Sequence, residues 1–120
     1  MAKDLEVTLL FDIYGDMLTQ KQRDFIGYYY DDDLSLAEIA ENEGITRQGV
    51  RDAIKRAEAQ LYDFEKNLGL KRRFDELKSG LDEISKMTEI INEVNRRTIL
   101  SREINDAVTH INFITKTLTE

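Results

Sequence analysis

The chain has 120 residues, no cysteine, no proline and a net charge of −7, so disulfides and thiolate metal sites are excluded. Its length fits one domain, or one domain with a helical extension, and can bury a core without staples. The acidic balance argues against indiscriminate nucleic-acid binding, and the absence of proline with few glycines lets helices run long. No stretch approaches the apolar length of a membrane span, and Met1–Leu10, which carries Asp4 and Glu6, lacks the apolar run of a signal peptide. A reducing cytoplasm is the expected setting. Composition and periodicity together predict an all-α protein.

Charge is unevenly placed. Residues 1–45 hold three basic and eleven acidic side chains, a net of −8. Residues 46–78 hold nine and six, a net of +3, and residues 79–120 hold five and seven, a net of −2. The basic stretch therefore begins at Thr46, where it can serve as a local footprint while the acidic remainder suppresses non-specific contact.

Leu5, Leu9, Ile13 and Met17, widened by Leu10 and Tyr14, predict a first helix over about 3–17. Thr19 is placed to cap a second, whose apolar side is Phe25, Ile26, Tyr29 and Tyr30 and which ends near Asp31-Asp32-Asp33. Ser35, three residues before Glu38, predicts a capping box for a short third helix with Leu36, Ile39 and Ala40 inside. Gly44 is positioned to take a left-handed conformation after it. Thr46 caps a fourth helix with an apolar stripe at Val50, Ile54, Ala57, Leu61, Phe64 and Leu68, and Gly69 stops it. A fifth helix carries Leu70, Phe74, Leu77, Leu81, Ile84, Met87, Ile91 and Val94. A last segment repeats Ile104, Ala107, Ile111, Ile114 and Leu118 at steps of 3, 4, 3 and 4, a coiled-coil-like seam. The polar link Asn95-Arg96-Arg97-Thr98 is compatible with a tight turn or with one continuous helix. Either way the stripe needs a partner surface, from its own chain or a second copy. The expected organisation is a helix-turn-helix domain over 1–69 and a helical extension over 70–120 for dimerisation or a partner.

Ser35 to Arg56 is the informative segment. A helix-turn-helix needs a small residue where its two helices cross and a residue tolerant of positive φ in the turn. Ala40 and Gly44 meet those needs, with Ile39, Ile45 and Val50 expected to form a wedge of core. The second helix is then a recognition helix whose first turns enter a groove. Its predicted contact residues are Thr46, Arg47, Gln48, Arg51, Lys55 and Arg56. The arginines can fork onto guanine or phosphate, Gln48 can pair with adenine, and Thr46 with the helix-start N–H groups suits a phosphate oxygen. Asp52 is awkward on such a face unless it meets a cytosine amine or pairs with Arg56, and the bland alternative is a solvated set of i,i+4 ion pairs. Tyr28-Tyr29-Tyr30 could stack bases but at helical spacing reads mainly as core. Asp31-Asp32-Asp33 reads as a solvated helix end rather than a cation site. His110 is the one histidine and has no second ligand residue nearby. No phosphate loop, nucleophile elbow or paired-carboxylate cleft is visible, so no enzyme, metal or cofactor is expected.

The stretch from Leu18-Thr19 and Lys21-Gln22, through Tyr29-Tyr30, Asp33 and Ser35-Leu36-Ala37-Glu38-Ile39-Ala40, to Thr46-Arg47-Gln48, Val50, Asp52 and Ile54-Lys55-Arg56 resembles the YlxM family of small bacterial helix-turn-helix proteins. The likeness covers roughly residues 5–94. More distantly the same stretch is similar to region 4 of sigma factors. Thr46 stands where members have serine, and Gly49 and Arg51 where alanine and tyrosine are common. The resemblance implies a sigma region 4-like, DNA-binding-type fold with a role tied to the signal recognition particle, its RNA or its GTPase. It assigns no contact residues. Two functions compete: a nucleic-acid-binding regulator acting as a homodimer, and a protein-interaction module that keeps the helix-turn-helix as scaffold.

Overall fold

The computed structural model describes residues 1–119, and every regular element among them is helical. The chain divides into two compact units, Met1–Lys71 and the segment from Arg72 onward.

In the first unit, α1 spans Leu5–Tyr14 and is started by Asp4, whose carboxylate accepts the Glu6 N–H at 3.0 Å. Its buried face is Val7, Leu10 and Tyr14, while Leu5 is 84% and Leu9 50% exposed. The predicted i,i+4 row Leu5-Leu9-Ile13-Met17 drifts around the helix by about 40° per step, so the alternating 3,4 row holds the core instead. The helix also ends earlier than predicted: Gly15–Met17 tighten into a 3₁₀ turn, and Met17 is exposed. Thr19 caps α2, Gln20–Ile26, in a reciprocal box with Gln22. The chain continues as a π-helical turn over Gly27–Asp31, which carries the tyrosines. Tyr29 is buried and its hydroxyl donates to the Met1 carbonyl at 2.7 Å, and the Tyr30 hydroxyl donates to Glu58 at 2.8 Å. The tyrosine run is thus framework.

Ser35 and Glu38 form the expected capping box at α3, Leu36–Glu43. Gly44 takes φ 67°, and the N–H groups of Gly44 and Ile45 both donate to the Ala40 carbonyl, which closes the helix and turns the chain. Thr46 then caps α4, Arg47–Leu68, and Gly69 ends it at φ 64°. Val50, Ile54, Ala57 and Leu61 are inaccessible to water and take α1, α2 and α3 against them. Phe64 is partly buried against Tyr14, ring centroids 5.8 Å apart, and Leu68, predicted in the stripe, is exposed.

α5, Leu70–Arg97, starts immediately after Gly69. Its first N–H groups cannot bond within their own helix. The Leu70 N–H donates to the Tyr14 hydroxyl at 3.0 Å, the Lys71 N–H to Glu65 Oε1 at 3.0 Å, and Tyr14 donates to the same carboxylate at 2.7 Å. A side chain from α1 and one from α4 therefore cap α5 together.

In the second unit, Asn95, Arg96 and Arg97 of the polar link are the last residues of α5, and the chain turns just after them, over residues 98–101 with Leu100 at φ 53°, back into α6, Arg102–Thr119. Asn95 holds it from both sides, accepting the Ser101 N–H and donating to the Ser101 carbonyl, each at 2.9 Å. Between the helices the Ser85 hydroxyl meets Thr115 and the Thr88 hydroxyl meets Asn112. Their numbers run in opposite directions, so the pair is an antiparallel hairpin. The predicted apolar seam is not buried by α5: Ile111, Ile114 and Leu118 are 38%, 45% and 66% exposed, whereas Thr88, Asn95 and Thr115 are buried.

Ile54→Ala empties a fully buried site and should cost about 2–5 kcal/mol, seen as a lower denaturant midpoint at unchanged slope. Burial, then the bond to Glu65, raises the Tyr14 pKa, and burial, with the Glu58 carboxylate adding, raises that of Tyr30. Folded values above the unfolded one give stability that is complete below about pH 10 and lost as pH rises from there through the folded values. Urea midpoints should fall as pH rises above about 10, and less steeply in Tyr30→Phe; a fall of equal steepness there would exclude Tyr30 as a contributor.

Candidate nucleic-acid interface

The α3–turn–α4 unit presents the start of α4 to solvent. Val50 and Ile54 point inward, and with 100° between residues the outer face of the first three turns falls to Gln48, Asp52, Lys55 and Arg56. Arg47 and Arg51 flank it on one side, and Gly49 and Ala53 on the other. All six predicted contact residues, Thr46, Arg47, Gln48, Arg51, Lys55 and Arg56, are exposed.

They do not form one cluster. Arg47, Gln48 and Arg51 line a shallow cavity of about 380 Å³ with Leu36 from the start of α3 and Met1, the residue held by Tyr29. Arg56 lies on the opposite flank, in a second cavity of about 320 Å³ whose walls include Thr19, Lys21, Phe25, Ile45 and Gly49. Lys55 lines neither. Ile45 is 40% exposed, which corrects its expected place in the core wedge. Residue 45 lies in the extended link before the Thr46 cap, and its Cδ1 lies along the α4 flank beside Gly49 rather than under the helix. The wedge of core is made by Ile39, Ala40 and Val50 without it.

Lys21 was not predicted for the interface. Its ammonium lies 5.7 Å from the Phe25 ring centroid, on the same cavity as Arg56. The two cations are far apart in sequence, and only the packing of α2 on α4 brings them to one rim. Lys21 is the second residue of α2 and sits in the acidic first third of the chain, so no local charge pattern marks it.

The electrostatics of the face are simple. Among the described residues Arg47, Arg51, Lys55 and Arg56 form no ion pair, so the solvated i,i+4 network that the sequence also allowed is not made. Asp52 is bonded to Gln48 at 2.9 Å rather than to Arg56. The Thr46 hydroxyl oxygen accepts the Gly49 N–H at 2.9 Å and is thereby committed to the cap, although its own proton can still be donated. The early N–H groups of α4 point out of the helix start, where the macrodipole favours an anion.

Other polar clusters offer less. Asp33 is paired with Lys3, and among the described residues no group of three or more acidic or histidine side chains stands where it could hold a metal ion. No described helix is long and apolar enough to cross a membrane.

A family model described as "Putative helix-turn-helix protein, YlxM / p13 like" matches residues 1–119. A UPF0122 protein of Thermoanaerobacter sp. (strain X514) is 51% identical over 92 residues, which cover 77% of this chain and 79% of the relative. One of Shouchella clausii (strain KSM-K16) is 46% identical over 86 residues, 72% and 79% of the two chains. One of Bacillus cereus (strain AH187) is 41% identical over 102 residues, 82% and 93%.

Thr46→Ala removes the cap of the long helix and should lower stability by about 0.5–2 kcal/mol, while Thr46→Ser should keep most of it. Thermal melts of the two variants compare them directly, and equal losses would mean that the hydroxyl bond to Gly49 contributes nothing.

Proposed function

Because the chain belongs to the YlxM- and p13-like family of helix-turn-helix proteins, UPF0122, we propose that it is a non-enzymatic regulator that binds nucleic acid through the first turns of α4. The family is a helix-turn-helix family and not an enzyme family. The observation that carries the reading is the set of four cations, Arg47, Arg51, Lys55 and Arg56, that are exposed and have no ionic partner among the described residues, on the helix that follows the turn. Arg47, Arg51 and Lys55 follow one another at i,i+4, a like-charge spacing that disfavours a helix by a few tenths of a kcal/mol per pair and that a bound anion relieves, and phosphate is the anion that a helix start and guanidinium forks suit together. Thr46 and Gln48 complete the contact set.

Duplex DNA is the default ligand. The resemblance to the YlxM family adds a role in the signal recognition particle pathway and makes the particle's RNA the rival ligand. The net of −8 over residues 1–45 repels polyanions elsewhere on the surface and confines contact to α4. Residues 1–69 then form the binding domain and residues 70–120 the element through which two copies pair, in a cytoplasmic protein.

A second reading is favoured by the Gln48–Asp52 bond, which places a carboxylate on the outer face. In it the helix-turn-helix is a scaffold that meets a basic protein surface such as the particle's GTPase.

Fluorescence anisotropy against labelled duplex DNA and particle RNA, each at two salt concentrations, separates these readings. The expected result is binding that weakens steeply with salt, and a slope that shrinks by about two in Arg47→Ala/Arg51→Ala if both arginines sit on phosphates. Affinity unchanged in that double variant, with helicity intact, would overturn the assignment to α4. Binding to the GTPase, with neither nucleic acid bound, would favour the scaffold reading.

A further inference from the structure

Each helix of the α5–α6 hairpin carries two stripes side by side, and the chain uses only the polar one. On α5 the stripe toward α6 is Leu81, Ser85, Thr88, Asn92 and Asn95, at steps of 4, 3, 4 and 3. It is joined to α6 by the Ser85–Thr115, Thr88–Asn112 and Asn95–Ser101 hydrogen bonds. Val108 is the one buried apolar side chain among the described residues of this unit. A hairpin with so little apolar burial lacks the core that a free-standing unit of this size needs.

The second stripe lies about 80° round the helix from the first. On α5 it runs through positions 77, 80, 84, 87, 91 and 94, at steps of 3, 4, 3, 4 and 3. On α6 it runs through Ala107, Ile111, Ile114 and Leu118, at steps of 4, 3 and 4. The displacement has the same sense on both helices. In an antiparallel pair that brings the two stripes to the same side, and Leu77 and Leu118 accordingly line one cavity. Its large side chains are each left between 38% and 66% exposed. No position on it is charged, in a chain in which 34% of residues are.

We propose that a second copy of this chain docks here, hairpin on hairpin, to form a four-helix bundle about a twofold axis. The inference deepens the pairing assigned above to residues 70–120 and rests on that part of the reading, not on the nucleic-acid ligand. Three observations select a second copy as the occupant. Eight large apolar side chains, each about half exposed, leave on the order of 800 Å² per copy, the size of one half of a standard interface. Residues 70–120 hold nine basic and nine acidic side chains, so two hairpins meet without net repulsion, although each whole chain carries −7. An uncharged face with a 3,4 repeat is self-complementary, as a twofold contact requires. Gly80 adds a hole: a Cβ there would meet nothing within 4 Å, which leaves room for a partner's side chain.

The two stripes divide the work. The hydrogen-bonded one fixes how α6 is registered on α5, and the apolar one supplies the association.

Sedimentation equilibrium of the full 14.0 kDa chain at micromolar concentration is expected to give twice that mass. Ile84→Glu/Ile114→Glu should raise the dissociation constant at least 30-fold, a hot-spot-sized loss of about 2 kcal/mol. Because that variant could also unfold the hairpin, single thiols provide a second route, since the chain has no cysteine. Among Ile84→Cys, Ile91→Cys and Ile111→Cys at least one should give a covalent dimer under mild oxidation, while Asp82→Cys, on the opposite side of α5, should not. A monomeric wild type, or cross-linking at Asp82→Cys alone, overturns the proposal. A monomer that still binds DNA or particle RNA with steep salt dependence overturns the interface and leaves the α4 reading standing; a dimer that binds neither does the reverse.

Discussion

Val50, Ile54, Ala57 and Leu61 project from one side of α4, and three other helices bury their apolar sides against them. Filling that side commits the rest of the helix. With those four residues inward, 3.6 residues per turn places Gln48, Asp52, Lys55 and Arg56 outward, and Arg47 and Arg51 at the flank. Exposure of the cations is thus a consequence of core packing. The left-handed Gly44 is the other half of the constraint, because it turns the chain within one residue and lets Thr46 restart a helix across α3. A side chain at Gly44 would find open space but an unfavourable φ, so conformation and not crowding selects glycine there.

Features written in adjacent residues were legible in the sequence. The Ser35–Glu38 box, the Thr46 cap and the stops at Gly44 and Gly69 are each decided by a hydrogen bond or a backbone angle within four residues. Which of several apolar residues is inside was less so. In α1 two interleaved rows were available, and α4 takes Val7, Leu10 and Tyr14 in preference to Leu5 and Leu9. Ile45 is apolar and sits beside the turn, yet its backbone is no longer helical and carries the side chain to the flank. In the hairpin the 3,4 apolar repeat was visible, but it was the weaker-looking row of serine, threonine and asparagine that joined the two helices. Periodicity finds a stripe; it does not say which surface the stripe will meet. The exposure of the six candidate contact residues was recognisable from charge and position, whereas the placing of Arg47, Gln48 and Arg51 on one cavity and Arg56 on another, and the arrival of Lys21 beside Arg56, depend on tertiary packing.

The joint at residue 69 shows how remote side chains can do the work of a cap. Helices begin with N–H groups that have no partner in their own ladder. At α5 no serine or aspartate precedes the first turn, because Gly69 fills that place for the sake of α4. Tyr14 and Glu65 supply the missing acceptors from two other helices. The start of α5 is therefore a tertiary feature that exists only once α1 has docked on α4.

Gln48 adds hydrogen-bond direction to a face otherwise set by its cations. A carboxylate can only accept, so the group of Gln48 that faces Asp52 has to be its amide nitrogen. That fixes the flip of the amide and leaves its carbonyl oxygen, together with the spare Asp52 oxygen, as the outward atoms. The α4 outer face thus offers acceptors at Gln48 and Asp52 beside the donors of Lys55 and Arg56, with Arg47 and Arg51 donating at the flank. A surface that complements it carries donors opposite the first pair and acceptors opposite the cations. Hydrogen-bond polarity, and not charge alone, then distinguishes one approaching surface from another, and a uniformly anionic surface is matched only at the cations.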